Sequence, residues 1–364
     1  MQKISPLLPL VLLFSVLALL AGLWAGLLRM GWRLPDTALN LPIAHGPLMV
    51  SGFLGALIAV ERVVALQKRW MFAAPLLTGL GWVGGLALPG SFVGPLLITL
   101  GSLGTVVILG VMIRREPALH TLTIGAGTLC WLVGNGLWLS GFPIFKIVFW
   151  WAAFLVLTIT GERLELSRVL RMTRVKQILF LLAAGLFLGG VLVMLLAMQW
   201  GARLAGLGLL GLALWLLWFD IARRNLRHPA ALTRYIARCL YPGYFWLGFG
   251  GILSLWFGAV DAGLAYDAVL HSIFIGFVIS MIFGHAPIIL PAVLNRKPPY
   301  HPSFYLTLVL LHASLILRMA GDLGGWYRLR QWGGLLNEIS ILLFLAIVAF
   351  TLRAQPAPKP RANG

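Results

Sequence analysis

Long apolar runs alternate with short polar or Gly- and Pro-containing breaks along almost the whole chain. Each run holds about 20 predominantly apolar residues, which is the length an α-helix needs to cross a hydrocarbon core about 30 Å thick. The pattern predicts twelve spans, at residues 7–28, 43–66, 71–90, 93–113, 119–141, 143–161, 177–198, 202–220, 239–258, 265–290, 303–320 and 332–352. The expected fold is therefore all-α and polytopic, with a single transmembrane domain over residues 1–354.

Composition supports this expectation and removes several other classes. Only 10% of the 364 residues are charged and 60% are hydrophobic, whereas a soluble domain has roughly 25% charged residues. The two cysteines, Cys130 and Cys239, form no C-x-x-C pair, which excludes a disulfide scaffold. The first run lacks a small-residue cleavage site before Arg29, so we expect it to be retained and the mature chain to start at Met1. The Pro-rich residues 355–364 are expected to form a disordered tail.

The net charge of +18 indicates orientation. Twelve spans place both termini on one side, and most of the 28 Lys and Arg residues fall on that side. By the positive-inside rule both termini are cytoplasmic, in a bacterial cytoplasmic (inner) membrane. The basic residues form short collars at helix ends that suit the headgroups of a lipid bilayer, and not one folded basic face, so no nucleic-acid partner is expected.

Two short matches suggest an internal repeat. Spans two and six end in Glu61-Arg62 and Glu162-Arg163 on the same side. Because a carboxylate at a helix C-terminus needs a cationic partner, we expect the crosswise pairs Glu61 with Arg163 and Glu162 with Arg62. These pairs are interpreted as structural first, with a proton path as the alternative. The repeat would make spans two, six and ten equivalent. Its three groups of four helices would cover residues 1–116, 117–225 and 226–354.

Four of the seven histidines, His45, His271, His285 and His312, are expected at membrane depth, where an ionisable group is expensive and therefore a functional candidate. The other three, His120, His228 and His301, lie beside prolines and are expected to be solvated. His45 and His271 should share one depth near the outer face, on spans two and ten. Two imidazoles that face each other across a bundle are the ligands of a bis-histidine haem.

Nearby residues fit the same hypothesis. Asp267 lies one turn before His271, where its carboxylate could hold the ring N–H. Gly46, Gly52, Gly55 and Gly276 would leave room for a flat macrocycle. The plainer alternative is that His45 is an interfacial histidine bonded to a loop and that the glycines serve helix packing.

The remaining two histidines allow several roles. His285 lies fourteen residues after His271, about 21 Å further along a helix, so the two cannot bind one metal. It could bind a second cofactor, hold a propionate, relay a proton or cap a helix end. His312 lies in the middle of span eleven, with Arg318 below the outer surface, and Ser314 or a backbone carbonyl could satisfy it.

Twelve helices with histidines on the second and tenth resemble the subunit I fold of haem-copper oxidases and nitric oxide reductases. In that superfamily the corresponding histidines bind the low-spin haem. The superfamily's active site also needs histidines on helices six and seven and a second histidine on helix ten. Spans six and seven carry no histidine here, and Val269 and Ile273 stand where the second helix-ten histidine would lie. The resemblance therefore implies the fold and the haem but excludes the oxygen-reducing centre.

The chain is more similar to the NnrS family, bacterial haem- and copper-containing membrane proteins associated with nitric oxide stress. The similarity is carried by residues 270–287, by an arginine one span later and by the segment Ala44–Phe53. The matching residues are His271, Gly276, Met281, Gly284, His285 and Arg318. The family's second N-terminal histidine is missing, which puts copper in doubt and leaves haem b as the expected cofactor.

Three functional hypotheses follow. The first is an NnrS-like haem protein with ligands His45 and His271, acting in nitric oxide or redox stress, with or without turnover of its own. A redox partner or respiratory complex would then be its partner. The second is a proton-coupled transporter that uses His312, Arg318 and the Glu-Arg pairs. The third is an assembly factor for a respiratory complex.

Overall fold

The computed structural model describes residues 6–35, 41–170, 172–293 and 300–353. Within these ranges the chain forms helices and no strand. The expected chain start at Met1 and the tail 355–364 lie outside the described residues. The twelve long helices are Leu7–Arg29 (α1), Leu41–Leu66 (α2), Arg69–Ala87 (α3), Val93–Arg115 (α4), Leu119–Leu139 (α5), Ile144–Leu166 (α6), Arg174–Val193 (α7), Met198–Phe219 (α8), Ala231–Phe257 (α9), Gly263–Pro291 (α10), Phe304–Gly324 (α11) and Tyr327–Arg353 (α12).

The predicted class is confirmed: the protein is an all-α, multi-pass membrane protein. Eleven of the twelve helices are long and apolar enough to cross a membrane, and α9 is the one outside that set. The largest error in a predicted boundary is also at α9, which begins at Ala231 and not at residue 239. Its first turns carry Arg234 and Arg238, so hydropathy detects only the apolar remainder of the helix.

Three helices at the centre of the bundle are the most buried of the eleven candidate spans, and α9 is buried to a similar extent. In α2, α6 and α10, 67%, 78% and 56% of the most apolar stretch is buried, against at most 50% in the other eight spans. The outer helices pack as sequential pairs, α3 with α4, α7 with α8 and α11 with α12. The Tyr327 hydroxyl donates to the Met30 carbonyl at 2.8 Å, which ties the start of α12 to the end of α1. The proposed repeat stays a prediction, although its three equivalent helices share this central position.

Both central helices that carry a candidate ligand widen into π-helix. The π-helical segments are Leu48–Gly55 in α2 and Ser272–Ile279 in α10. The first begins three residues after His45, and the second begins directly after His271. Such segments shift the register of side chains along a helix and occur frequently at functional sites. Each one therefore changes the direction of the side chains that follow a histidine.

Helices α7 and α8 approach closely enough for backbone contact. A Cβ added at Gly208 would lie 2.7 Å from the Phe187 Cβ and would overlap the Phe187 backbone. Gly190 faces the Ala205 backbone in the same manner. Small residues at such positions let membrane helices pack without a hydrophobic driving force between them.

We predict that Gly208→Leu lowers the free energy of unfolding in detergent by at least about 1–3 kcal/mol, because the added side chain forces α7 and α8 apart. Gly185→Leu is the matched control, since Gly185 on α7 is exposed and a Cβ there would meet nothing within 4 Å. Equal thermal stability of the two variants would contradict the described packing.

Candidate functional site

A cavity of about 520 Å³ opens at the end of the bundle where α1 finishes and α2 begins. Its walls come from α1, α2, α5, α6, α10, α11 and α12. His45, His271, Asp267 and Arg318, four of the residues predicted from sequence, all line it. The volume lies in the range of small-molecule and cofactor sites. We refer to it as the histidine cavity.

The two histidines face each other in the histidine cavity. Their ring centroids are 6.3 Å apart, and the ring planes are inclined by 34°. His45 Nδ1 lies 2.8 Å from the carbonyl oxygen of Gly22, and His271 Nδ1 lies 2.9 Å from the carbonyl oxygen of Asp267. A carbonyl can only accept, so each Nδ1 carries the hydrogen and donates it. In the neutral rings this leaves both Nε2 atoms with a free lone pair.

This arrangement fits a metal held between the rings. Two metal–nitrogen bonds of about 2 Å each, plus the offset from each nitrogen to its ring centre, add up to about 6 Å. Among the described residues, His45 Nε2 has no hydrogen-bond partner. His271 Nε2 lies 3.3 Å from Arg318 Nη2, and a metal would replace that contact.

Asp267 does more than orient the histidine. Its carboxylate accepts two hydrogen bonds of 2.8 Å from Arg318, one from Nε and one from Nη2. The same carboxylate also lies 3.2 Å from His271 Nδ1, so the expected contact is present beside the backbone one. Both members of the pair are buried, with the side chains 11% and 7% exposed. A bidentate, hydrogen-bonded pair is the form in which opposite charges persist at membrane depth.

Sequence reasoning missed a second ion pair beside the first. Arg330 Nη2 lies 3.5 Å from the Asp267 carboxylate, and Arg330 Nε lies 2.9 Å from that of Asp322. Two acids and two arginines from α10, α11 and α12 thus compensate one another. The signal was available, because the chain has only ten acidic residues and each one near an apolar run needs a cation.

Room in the histidine cavity comes from a glycine that the sequence analysis did not select. A Cβ added at Gly26 on α1 would lie 2.9 Å from Glu338 Oε1 and 3.2 Å from His45 Cε1. Glu338, on α12, is a further lining residue that was missed. The glycine, the carboxylate and the imidazole therefore meet at one point of the wall.

The predicted role of Gly52, Gly55 and Gly276 as space for a macrocycle is wrong. A Cβ at Gly52 would meet Ala18 at 2.9 Å, and one at Gly276 would overlap Trp246. Gly55 faces Trp131 in the same way. All three allow neighbouring helices to approach, which is the plainer alternative. Of the four glycines considered, Gly46 is the one that lines the histidine cavity.

His312 does not line the cavity. Trp246 Nε1 donates to His312 Nδ1 at 3.1 Å, and His312 Nε2 lies 3.3 Å from the hydroxyl of Ser280. Ser280 in turn donates to the Cys239 carbonyl at 2.6 Å. His312 is therefore a core histidine with both ring nitrogens satisfied. The expectation that Ser314 satisfies it is wrong, since that hydroxyl donates to backbone carbonyls of its own helix.

His285 also lies away from the cavity, toward the other end of α10. Its Nδ1 donates to the carbonyl of Met281 at 2.7 Å. Its Nε2 is buried and has no partner among the described residues. The expected separation of His285 from His271 along one helix is present, because both lie on α10.

The crosswise ion pairs are half right. Arg62 contacts Glu162, as predicted. Arg163 instead donates to both carboxylate oxygens of Asp220, at 2.8 and 3.0 Å, so the pair with Glu61 is wrong. The chain leaves α8 beside the end of α6, which brings Asp220 closer to Arg163 than α2 brings Glu61. Glu61 lies 3.7 Å from its neighbour Arg62, a contact that the crosswise prediction did not include.

His120 was expected to be solvated, and this is wrong because the residue is only 3% exposed. It packs between Arg168, 3.0 Å from its Nδ1, and the carboxylates of Glu116 and Glu165. Arg168 also donates to Glu116 at 2.8 Å, and this hydrogen bond lowers the pKa of the Glu116 carboxyl. The His301 prediction is correct, as that residue is exposed.

We predict that Asp267→Ala lowers the free energy of unfolding by about 3–5 kcal/mol, because it leaves Arg318 buried without its counter-charge. Asp261→Ala is the control, since Asp261 lies at the same cavity but is exposed, and it should stay within about 0.5 kcal/mol of wild type. Unfolding in detergent measures both. A loss in Asp267→Ala no larger than in the control would contradict the structural role of the pair.

Comparison with known proteins gives one relationship. No curated protein matches the chain. A family model described as "Domain of unknown function (DUF8744)" matches residues 8–353, which includes every helix described above. The chain therefore belongs to the DUF8744 family.

Proposed function

We propose that this membrane protein binds one haem b in the histidine cavity, with His45 and His271 as its two axial ligands. The observation that carries the proposal is the 6.3 Å separation of the two imidazole rings. Each ring is already fixed by a carbonyl in the tautomer that leaves Nε2 for iron. If His45 were only an interfacial histidine, a second imidazole ring at the same depth would not be needed.

The surroundings suit the rest of a haem. The cavity walls are largely apolar, as a macrocycle requires, and include Leu23, Val148 and Phe274. Arg29 lines the same cavity, has no carboxylate partner among the described residues, and offers its guanidinium group to a propionate. No group of three or more His, Cys, Asp or Glu side chains in the described ranges is placed to hold a metal ion, so the proposal is confined to the two-histidine cofactor and leaves copper out.

Double axial ligation favours electron handling over turnover. His45 and His271 would hold the haem, which would supply one-electron chemistry when bound. What supports the nitric oxide part is the similarity of residues 270–287 and of Arg318 to the NnrS family. A redox partner is part of the proposal, because an electron carrier needs a donor and an acceptor of electrons.

The orientation proposed from the charge bias places the histidine cavity at the outer face of a bacterial inner membrane, with both termini cytoplasmic. Lys and Arg are concentrated at the opposite helix ends. Those ends carry Arg114, Arg115, Arg223 and Arg224, all exposed.

The transporter and the assembly factor stay predictions. The structure supports the transporter hypothesis less than the sequence does, because both ring nitrogens of His312 already have partners, Trp246 and Ser280. Arg318 is likewise held by Asp267. Both groups would have to break buried contacts to carry a solute or a proton.

We predict that wild-type protein, purified from cells supplied with haem, shows a Soret band equivalent to about one haem per chain. His45→Ala and His271→Ala should each lose most of that absorbance, because each removes an axial ligand. His228→Ala is the control, since His228 lies in the loop before α9, outside the cavity, and should keep the full band.

Circular dichroism of each variant establishes that the helices remain. A colourless wild-type protein contradicts the proposal. Full absorbance in either cavity variant contradicts the ligand assignment.

A further inference from the structure

A second cavity, of about 410 Å³, lies at the opposite end of the bundle from the histidines. It is bounded by the end of α6, the start of α7 and the end of α8. Its lining residues are Leu170, Lys176, Trp218, Phe219, Asp220, Arg223 and Arg224. Three of these seven side chains are cationic and one is anionic. We refer to it as the basic cavity.

The single acid does not neutralise the three cations. Both carboxylate oxygens of Asp220 accept hydrogen bonds from Arg163, and they also accept from the Ser167 hydroxyl and the Ala222 amide. The Asp220 side chain is 0% exposed. Its charge is thus already compensated by a buried arginine that does not line the basic cavity.

The three cations have no carboxylate partner. Within the described ranges, no ion pair involves Lys176, Arg223 or Arg224. Lys176 Nζ lies 5.5 Å from the centroid of the Phe219 ring, in a cation–π contact. Three like charges around one cavity repel one another, and an anion between them would remove that repulsion.

The cavity is also a fixed feature. Trp215 Nε1 donates to the Lys176 carbonyl at 2.8 Å, which ties the first turn of α7 to α8. The Thr173 hydroxyl caps the same turn by accepting from the Lys176 amide. Lys176 is therefore held at a helix end, whereas Arg223 and Arg224 lie in a short helix, Ala222–Asn225, that follows α8.

One side of the basic cavity is continuous with the lipid-facing surface. Trp218 is 59% exposed, and Val175 at the start of α7 is 65% exposed. Tryptophan is enriched at the headgroup level of a bilayer, and a basic pocket between helices on the cytoplasmic side suits an anionic headgroup. A free phosphate ion would not contact these apolar side chains, whereas the acyl chains of a lipid would pack against them.

We propose that the basic cavity binds the phosphate headgroup of an anionic phospholipid. Arg223 and Arg224 contact the phosphate oxygens, Lys176 adds a third charge, and the acyl chains pack beside Trp218. This site is independent of the histidine cavity and of any haem.

Native mass spectrometry in detergent with equal amounts of phosphatidylglycerol and phosphatidylcholine tests the proposal. Wild type should carry phosphatidylglycerol in preference. In the triple variant Lys176→Ala, Arg223→Ala, Arg224→Ala, that preference should fall by at least about fivefold, because each cation contributes to headgroup attraction. The double variant Arg223→Gln, Arg224→Gln changes only exposed side chains and should lose a smaller share without affecting folding.

The matched control is Lys68→Ala, Arg114→Ala, Arg115→Ala. It removes the same charges from exposed positions on the same side, outside the cavity, and should stay within about twofold of wild type. An equal loss in the control, or an unchanged preference in both cavity variants, overturns the proposal. If inorganic phosphate displaces the lipid and raises the melting temperature as much as phosphatidylglycerol does, the ligand is free phosphate and the lipid assignment fails.

Discussion

A charge buried in a membrane protein must be neutralised by a neighbour that the fold itself supplies. The ion pair of Asp267 and Arg318 meets this requirement with two parallel hydrogen bonds, and it joins α10 to α11 at the depth of the histidine cavity. The chain turn that presents the Asp267 carboxylate also presents its backbone carbonyl to His271. One buried pair therefore positions both the helix and the candidate ligand. Its opposite-end counterpart, Arg163 with Asp220, joins α6 to the end of α8.

The two cavities differ in the chemistry that these pairs leave free. At the histidine cavity Arg318 and Arg330 are compensated by Asp267 and Asp322, and what remains available is a pair of imidazole nitrogens in a largely apolar enclosure. At the basic cavity the acidic lining residue, Asp220, is paired with Arg163. What remains available there is the positive charge of the other lining residues. The first arrangement suits a cofactor and the second an anion. The two helices that carry these histidines also resemble each other, because a π-helical segment follows His45 in α2 and His271 in α10.

Hydropathy was sufficient for the class and for most helix boundaries, because the thickness of a bilayer dictates the length of each run. It failed at α9, where arginines occupy the first turns. Depth along a helix also followed from the sequence, and the rings of His45 and His271 lie at one level, 6.3 Å apart, as expected. Azimuth did not follow, because the π-helical segments alter the 100° step between residues. The glycines at 52, 55 and 276 were therefore assigned to the cavity although they face other helices. Asp220, Asp322 and Glu338 were missed because contacts between distant helices are set by packing, which the hydropathy pattern does not specify.

The central claim is that two histidines from α2 and α10 hold one haem between them. Electron paramagnetic resonance of the oxidised, purified protein tests it most directly, because the spectrum reports the spin state and the axial ligands of ferric iron. The account predicts a low-spin signal typical of two imidazole ligands, absent in His45→Ala and in His271→Ala. A protein without haem iron, or a high-spin signal that neither substitution changes, would contradict it.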